Sequence, residues 1–168
     1  MHAWNSTAPT RQRRGFTAFE ALVAATILAI ITASVSGALM AGRQQSRNAQ
    51  DTVYASMLAR ALMEEITRLP IADPNGYTAF GPDPGDTSRS LYDNVDDYHL
   101  YTDGPNNIAD LAGNLYPATY QPFVRSVTVT AVAMTPSGWS RTINGMLITV
   151  TVSRNGVTLV TLQRYACN

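Results

Sequence analysis

The chain contains no lysine: its twelve cationic side chains are all arginine, set against twelve carboxylates, and the formal charge is zero. Charged residues make up only 14% of the sequence. Such a balanced, sparsely charged composition offers no basic stripe for a phosphate backbone, so nucleic acid is not an expected partner. Cysteine occurs once, as Cys167, which excludes an internal disulfide framework and argues against a Cys-rich metal site. Histidine occurs twice, as His2 near the N-terminus and His99 among acids. No Ser/His/Asp grouping, phosphate-binding glycine loop or paired-histidine motif appears, and no catalysis is expected. From Arg43 to Leu69 there is neither proline nor glycine, which leaves a long stretch without helix breakers.

What is present begins with Arg13-Arg14-Gly15-Phe16-Thr17-Ala18-Phe19-Glu20, leading into the apolar segment Ala21 to Ala41. That run of about 20 residues is long enough to cross a bilayer core as a helix. Glu20 stands at its mouth, and the run itself carries no charge. A charge at the centre of such a helix costs roughly 2.5–3.5 kcal/mol and less near an end, so Glu20 either finds a partner or snorkels to the interface. Arg11, Arg13 and Arg14 precede the span and Arg43 and Arg47 follow it, a bias that keeps the N-terminal end in the cytoplasm. A cleavable secretory signal is the competing reading, but its apolar core runs only 7–15 residues and ends at a small-residue site. Ala21, Ala25, Ala29, Ala33, Gly37 and Ala41 recur at every fourth position. They form either a smooth ridge for close helix packing or the chance spacing of an alanine-rich segment.

The same helix is expected to continue to Leu69, where Pro70 stops it. Leu58, Leu62, Ile66 and Leu69 form an apolar stripe flanked by Val53, Tyr54 and Met57. The chain therefore divides into a leader (1–15), a membrane or assembly half-helix (16–42), an amphipathic half-helix (43–69), a loop region (70–122) and a sheet (123–168). The loop region is rich in turn chemistry, as in Asp73-Pro74-Asn75-Gly76 and Gly81-Pro82-Asp83-Pro84-Gly85-Asp86. It also holds too many aromatics, Tyr77, Phe80, Tyr92, Tyr98 and Tyr101 among them, for a disordered linker. Asp93, Asp96, Asp97 and Asp103 carry oxygen donors of the kind calcium takes. No bidentate glutamate follows at EF-hand spacing, and a solvated acidic loop is the alternative. No other cofactor is expected.

From Phe123 onward the period becomes two. Val127 and Val129, then Ile148, Val150 and Val152, alternate with threonine and serine, and a third run covers Val157 to Arg164. Asn155-Gly156 is a hairpin signal. A three-residue loop, Arg154-Asn155-Gly156 with Gly156 left-handed, keeps one apolar face by setting Val150 opposite Val160 and Ile148 opposite Leu162. The fold class is α+β: a long N-terminal helix packed on a C-terminal antiparallel sheet.

Glycine, then phenylalanine, then glutamate five residues into a long apolar helix resembles the class III signal of type IV prepilins and pseudopilins. The resemblance implies cleavage by a prepilin peptidase between Gly15 and Phe16 and N-methylation of Phe16. It implies assembly with other pilin or pseudopilin subunits through Glu20 and the Ala21 to Ala41 ridge, at an inner-membrane assembly platform. Glu20 would neutralise the N-terminal amine of a neighbouring subunit. The location implied is the inner membrane, single-pass, with the C-terminal domain periplasmic, and then a pilus or pseudopilus fibre. The family's usual two aliphatic residues before the acid are here Ala18 and Phe19. The strings Leu58 to Ile66 and Tyr92 to Tyr98 also look like minor pilins of the mannose-sensitive haemagglutinin and type II secretion kind. A reading from another class stays open: a membrane-anchored extracytoplasmic ligand-binding module that does not assemble.

Overall fold

The computed structural model describes residues 15–138 and 140–167. The arginine-bearing leader, up to Arg14, lies outside the described residues. The element order is α1 (Ala18–Ile66), the short 3-10 helices η1 (Arg89–Leu91) and η2 (Asp96–Tyr98), then β1 (Thr102–Asp103), β2 (Phe123–Met134), β3 (Ile143–Arg154) and β4 (Val157–Cys167). This is an α+β arrangement of one long N-terminal helix and a four-stranded antiparallel sheet of order β1-β2-β3-β4. The chain forms two compact units, one ending at Ser46 and one beginning at Arg47.

In the first unit every residue from Gly15 onward is exposed within the chain. Thr17 and Glu20 start the helix as a capping box. The Thr17 hydroxyl accepts the Glu20 amide at 3.3 Å, and the Glu20 carboxylate accepts the Thr17 amide at 3.3 Å. Two otherwise orphaned amides are thus satisfied reciprocally. Hydroxyls inside the apolar run bond back to their own helix: Thr26 to the Val23 carbonyl at 2.8 Å, Thr32 to Leu28 at 2.7 Å and Ser34 to Ile30 at 2.8 Å. These three hydroxyls are satisfied without water. By length and composition α1 can cross a membrane.

In the second unit the helix buries Ala55, Leu58, Ala59, Leu62, Met63 and Ile66 against the sheet. Burying each leucine fully stabilises by about 1.5–3 kcal/mol. The stripe differs from the expected one at its edges. Val53 and Met57 are 56% and 54% exposed, and Ala55 and Ala59, buried completely, take the central line instead. The helix ends at Ile66 rather than Leu69 because the last turn tightens: the Arg68 and Leu69 amides bond three residues back, to Glu65 and Ile66.

Strands β2 and β3 pair over their whole length, with Val127 opposite Val150 and Val129 opposite Ile148. These residues face the helix, while Thr128 opposite Thr149 and Thr151 opposite Thr161 lie on the other face. The sheet is apolar on one side only.

The hairpin register corrects the expectation. Arg154 pairs with Val157, so the turn has two residues, Asn155 and Gly156, both left-handed at φ 51° and 76°. A bulge then shifts the ladder between Val152 and Ser153, leaving Leu159 without a partner and setting Val152 opposite Val160 and Val150 opposite Leu162. The two-residue turn alone would split the apolar face. The extra residue in β4 restores it, and the correction sits in the strand instead of the turn.

β1 was not legible in the sequence. It is two residues long, Thr102 opposite Ser126 and Asp103 opposite Arg125, too short to show a period. The segment before it is tied to the core by backbone bonds: the Val95 amide to the Pro70 carbonyl at 3.0 Å, and Leu100 to Val127 at 3.1 Å. Tyr92, Tyr98 and Tyr101 meet edge to face, with Tyr92 and Tyr98 at 5.0 Å and Tyr98 and Tyr101 at 5.8 Å.

Candidate functional site

Three groupings hold the residues singled out by the sequence. The first is the start of α1. Gly15 precedes the helix and Phe16, at 77%, is among the most exposed apolar side chains in the chain. Glu20 lies in the first helical turn and acts in the capping box. Ala21, Ala25, Ala29, Ala33, Gly37 and Ala41 are all exposed. A Cβ added at Gly37 would meet nothing within 4 Å, so the ridge is an open face within this chain. Around it Leu22, Leu28 and Ile30 are exposed at 64%, 65% and 67%. Contiguous exposed apolar surface of this extent is uncommon on monomeric soluble proteins.

The second grouping is a buried ionic network that fastens the loop region to both helix and sheet. Arg125, 1% exposed, donates from Nε to Asp103 Oδ1 at 2.8 Å and from Nη2 to Asp103 Oδ2, and reaches the Ala109 carbonyl at 3.0 Å. Arg89 pairs with Glu65 of α1 at 3.0 Å and with Asp103 at 3.4 Å, and donates to the Ala109 carbonyl at 2.9 Å. The Tyr98 hydroxyl donates to Glu65 at 2.6 Å and that of Tyr101 to Asp103 at 3.0 Å. Two arginines and two carboxylates cancel. Burial, and then the adjoining Asp103 carboxylate, push the Tyr101 phenol up to about 12. Burial and the bond to Glu65 raise Tyr98 as well. Both tyrosines stay neutral donors. The arrangement fastens the loop region to helix and sheet through charge-assisted hydrogen bonds. Arg125 had a sequence signal: it shares parity with Phe123, Val127 and Val129, so an alternating strand carries it to the apolar face.

The third grouping is acidic. Of the four acids with donors of the kind calcium takes, Asp103 is occupied by Arg125, and Asp96 accepts the Gly81 amide at 3.2 Å. Asp97 is fully buried, and its Oδ2 accepts the Asp93 and Asn94 amides at 2.9 and 3.2 Å. Asp93 instead converges with Asp73 and Asp83, one carboxylate oxygen from each lying within 4.8 Å of the others. The turn at Asp73 is shaped by its own side chain, which accepts the Gly76 amide at 2.9 Å, and Asn75 donates to Asp93 Oδ2 at 2.6 Å. Loss of solvation, then the Asp73 carboxylate, push the Asp83 carboxyl up to about 6. Asp93 Oδ1 and Asp97 Oδ1 are buried without a hydrogen-bond partner. The sequence placed Asp73 and Asp83 in turns, and no spacing rule joins them to Asp93. Elsewhere, His99 accepts the Val129 amide on Nδ1 at 3.3 Å and meets the Phe80 ring at 5.0 Å. It is a packed side chain.

Compared with known proteins, the chain matches no family model, no curated protein and no solved structure.

Proposed function

We propose that the chain is a prepilin-like structural subunit, a minor pilin or pseudopilin. It is cleaved after Gly15 by a prepilin peptidase, methylated on Phe16 and assembled into a type IV pilus or type II secretion pseudopilus. Before assembly its N-terminal helix spans the inner membrane with the C-terminal domain in the periplasm. In the fibre, Glu20 neutralises the amine of a neighbouring Phe16, because a carboxylate and an amine buried together are tolerable where either alone is not. The small-residue ridge supplies the close helix contact.

One observation carries this reading. The Gly15-Phe16 junction stands immediately ahead of a helix whose apolar half is exposed throughout within the chain and holds its single acid in the first turn. That surface requires lipid or neighbouring helices, and the acid at the helix start, hydrogen-bonded to Thr17, would meet a cation there. The C-terminal antiparallel sheet packed on the amphipathic part of α1 agrees with it.

The test is N-terminal sequencing and intact mass of the membrane-extracted protein, from cells with and without a prepilin peptidase. The expected product begins at N-methylated Phe16 only where the peptidase is present. An intact Met1, or a start near Gln44, would overturn the proposal.

A further inference from the structure

We propose that Arg43 and Arg47 bind the phosphate of an anionic phospholipid headgroup, on the membrane face where α1 leaves the bilayer. The proposal rests on the reading of α1 as a membrane span. Between Glu20 and Asp51 these two arginines are the only charged side chains. Both are exposed on α1, four residues apart, and side chains at that spacing share one helical face.

Exposed arginines are ordinarily solvated, and two observations set this pair apart. The first is that no carboxylate answers them. Among the described residues neither joins an ion pair. Asp51 stands one turn beyond Arg47, at the spacing of a helical ion pair. It is held instead by Arg154 of β3, whose guanidinium lies over the Phe123 ring at 5.5 Å. Like charges four residues apart on a helix repel, so an anion that bridges both guanidinium groups lowers the energy of this face.

The second observation is depth. From Ala21 to Ala41 the helix carries no charge and rises about 30 Å, the thickness of a hydrocarbon core. Arg43 then lies about 3 Å past the core and Arg47 about 9 Å past it, while the headgroup layer is about 5–7 Å deep on each side. Side chains of a helix lean toward its N-terminus, which here is toward the bilayer, so both guanidinium groups reach back to the level of the phosphates. A guanidinium presents paired N–H donors that match phosphate oxygens two at a time. Zwitterionic headgroups carry the same phosphate beside a cation of their own, so the anionic class is favoured.

The experiment uses the full chain, first floated with phosphatidylcholine vesicles. It is then offered equal amounts of phosphatidylglycerol and phosphatidylcholine in detergent, and the lipids it retains are counted by native mass spectrometry. Co-flotation and a preference for phosphatidylglycerol are expected. Arg43→Gln/Arg47→Gln should still co-float and lose that preference by about tenfold or more, at about fivefold per arginine. Arg60→Gln/Arg68→Gln, at exposed positions farther along α1, should keep the preference of the parent. A chain that floats without any preference, or a preference undiminished in Arg43→Gln/Arg47→Gln, overturns the proposal and leaves the membrane span standing. A chain that stays in the soluble fraction overturns the span, and the proposal with it. Loss of the preference in millimolar inorganic phosphate would assign the pair to free phosphate and overturn the lipid.

Discussion

Removing Asp103 isolates the energetics that hold the loop region in place. Asp103, 6% exposed, accepts two bonds from Arg125, one from the Tyr101 hydroxyl at 3.0 Å and one from Arg89 at 3.4 Å. In Asp103→Ala, Arg89 keeps Glu65 at 3.0 Å. Arg125 keeps the Ala109 carbonyl at 3.0 Å and the Tyr116 ring face at 5.7 Å, and remains a charge without a counter-ion at 1% exposure. Breaking a buried pair from one side costs about 3–5 kcal/mol, because the remaining ion is uncompensated. That is a large part of a total stability of about 5–15 kcal/mol. Arg125→Met should cost less, since Asp103 retains Arg89 and Tyr101. The double variant should cost less than the two singles added together, by about 1–3 kcal/mol of coupling. Equilibrium urea unfolding of the full chain in detergent, followed by near-UV circular dichroism, measures all three. An Asp103→Ala cost below about 1 kcal/mol, or strict additivity in the cycle, would refute the claim that this pair is buried and mutually dependent.

Two further predictions address other elements. Glu20→Ala removes both the charge and the capping-box acceptor, whose loss costs the helix about 0.3–1.5 kcal/mol, whereas Glu20→Gln keeps a capping acceptor and removes only the charge. Both should lose incorporation into fibres, and only the alanine variant should lose helicity in detergent; fibre incorporation of Glu20→Gln at the parent level would refute the ion-pair role. Gly104 sits at φ 91° and a Cβ there would collide with the Phe123 carbonyl, with Val124 Cα a further contact at 3.1 Å. Gly104→Ala should therefore destabilise by about 1–3 kcal/mol and disturb Asp103 beside it, and an unchanged melting midpoint would contradict the close approach of loop and β2.

Much of the architecture was legible in local pattern. The apolar run, the i and i+4 recurrence of Leu58, Leu62 and Ile66, and the alternation through Val127 and Val129 and through Ile148 to Val152 each report a face. Faces follow from the helical and strand periods alone. Thr17-x-x-Glu20 is likewise a local signal, because the capping-box spacing lies within one helical turn. Asn155-Gly156 announced the turn, but not the compensating bulge. The bulge depends on which strand can absorb an extra residue while both apolar faces stay turned toward α1.

By itself, then, the sequence determined the order of the long helix, the loop region and the three long strands, the one-sided sheet, the helix long and apolar enough for a membrane, and the Gly15-Phe16 junction ahead of Glu20. The tertiary structure alone decided who meets whom across distance. Ala55 and Ala59 joined the fully buried face of α1 while Val53 and Met57 left it. Asp103 went to Arg125 and away from its acidic neighbours, and Asp73 and Asp83 were brought to Asp93. The physical reason is one of range. Periodicity is written by neighbours a few residues apart, whereas an ion pair or a cluster of carboxylates exists only after long loops close, and packing chooses where they land.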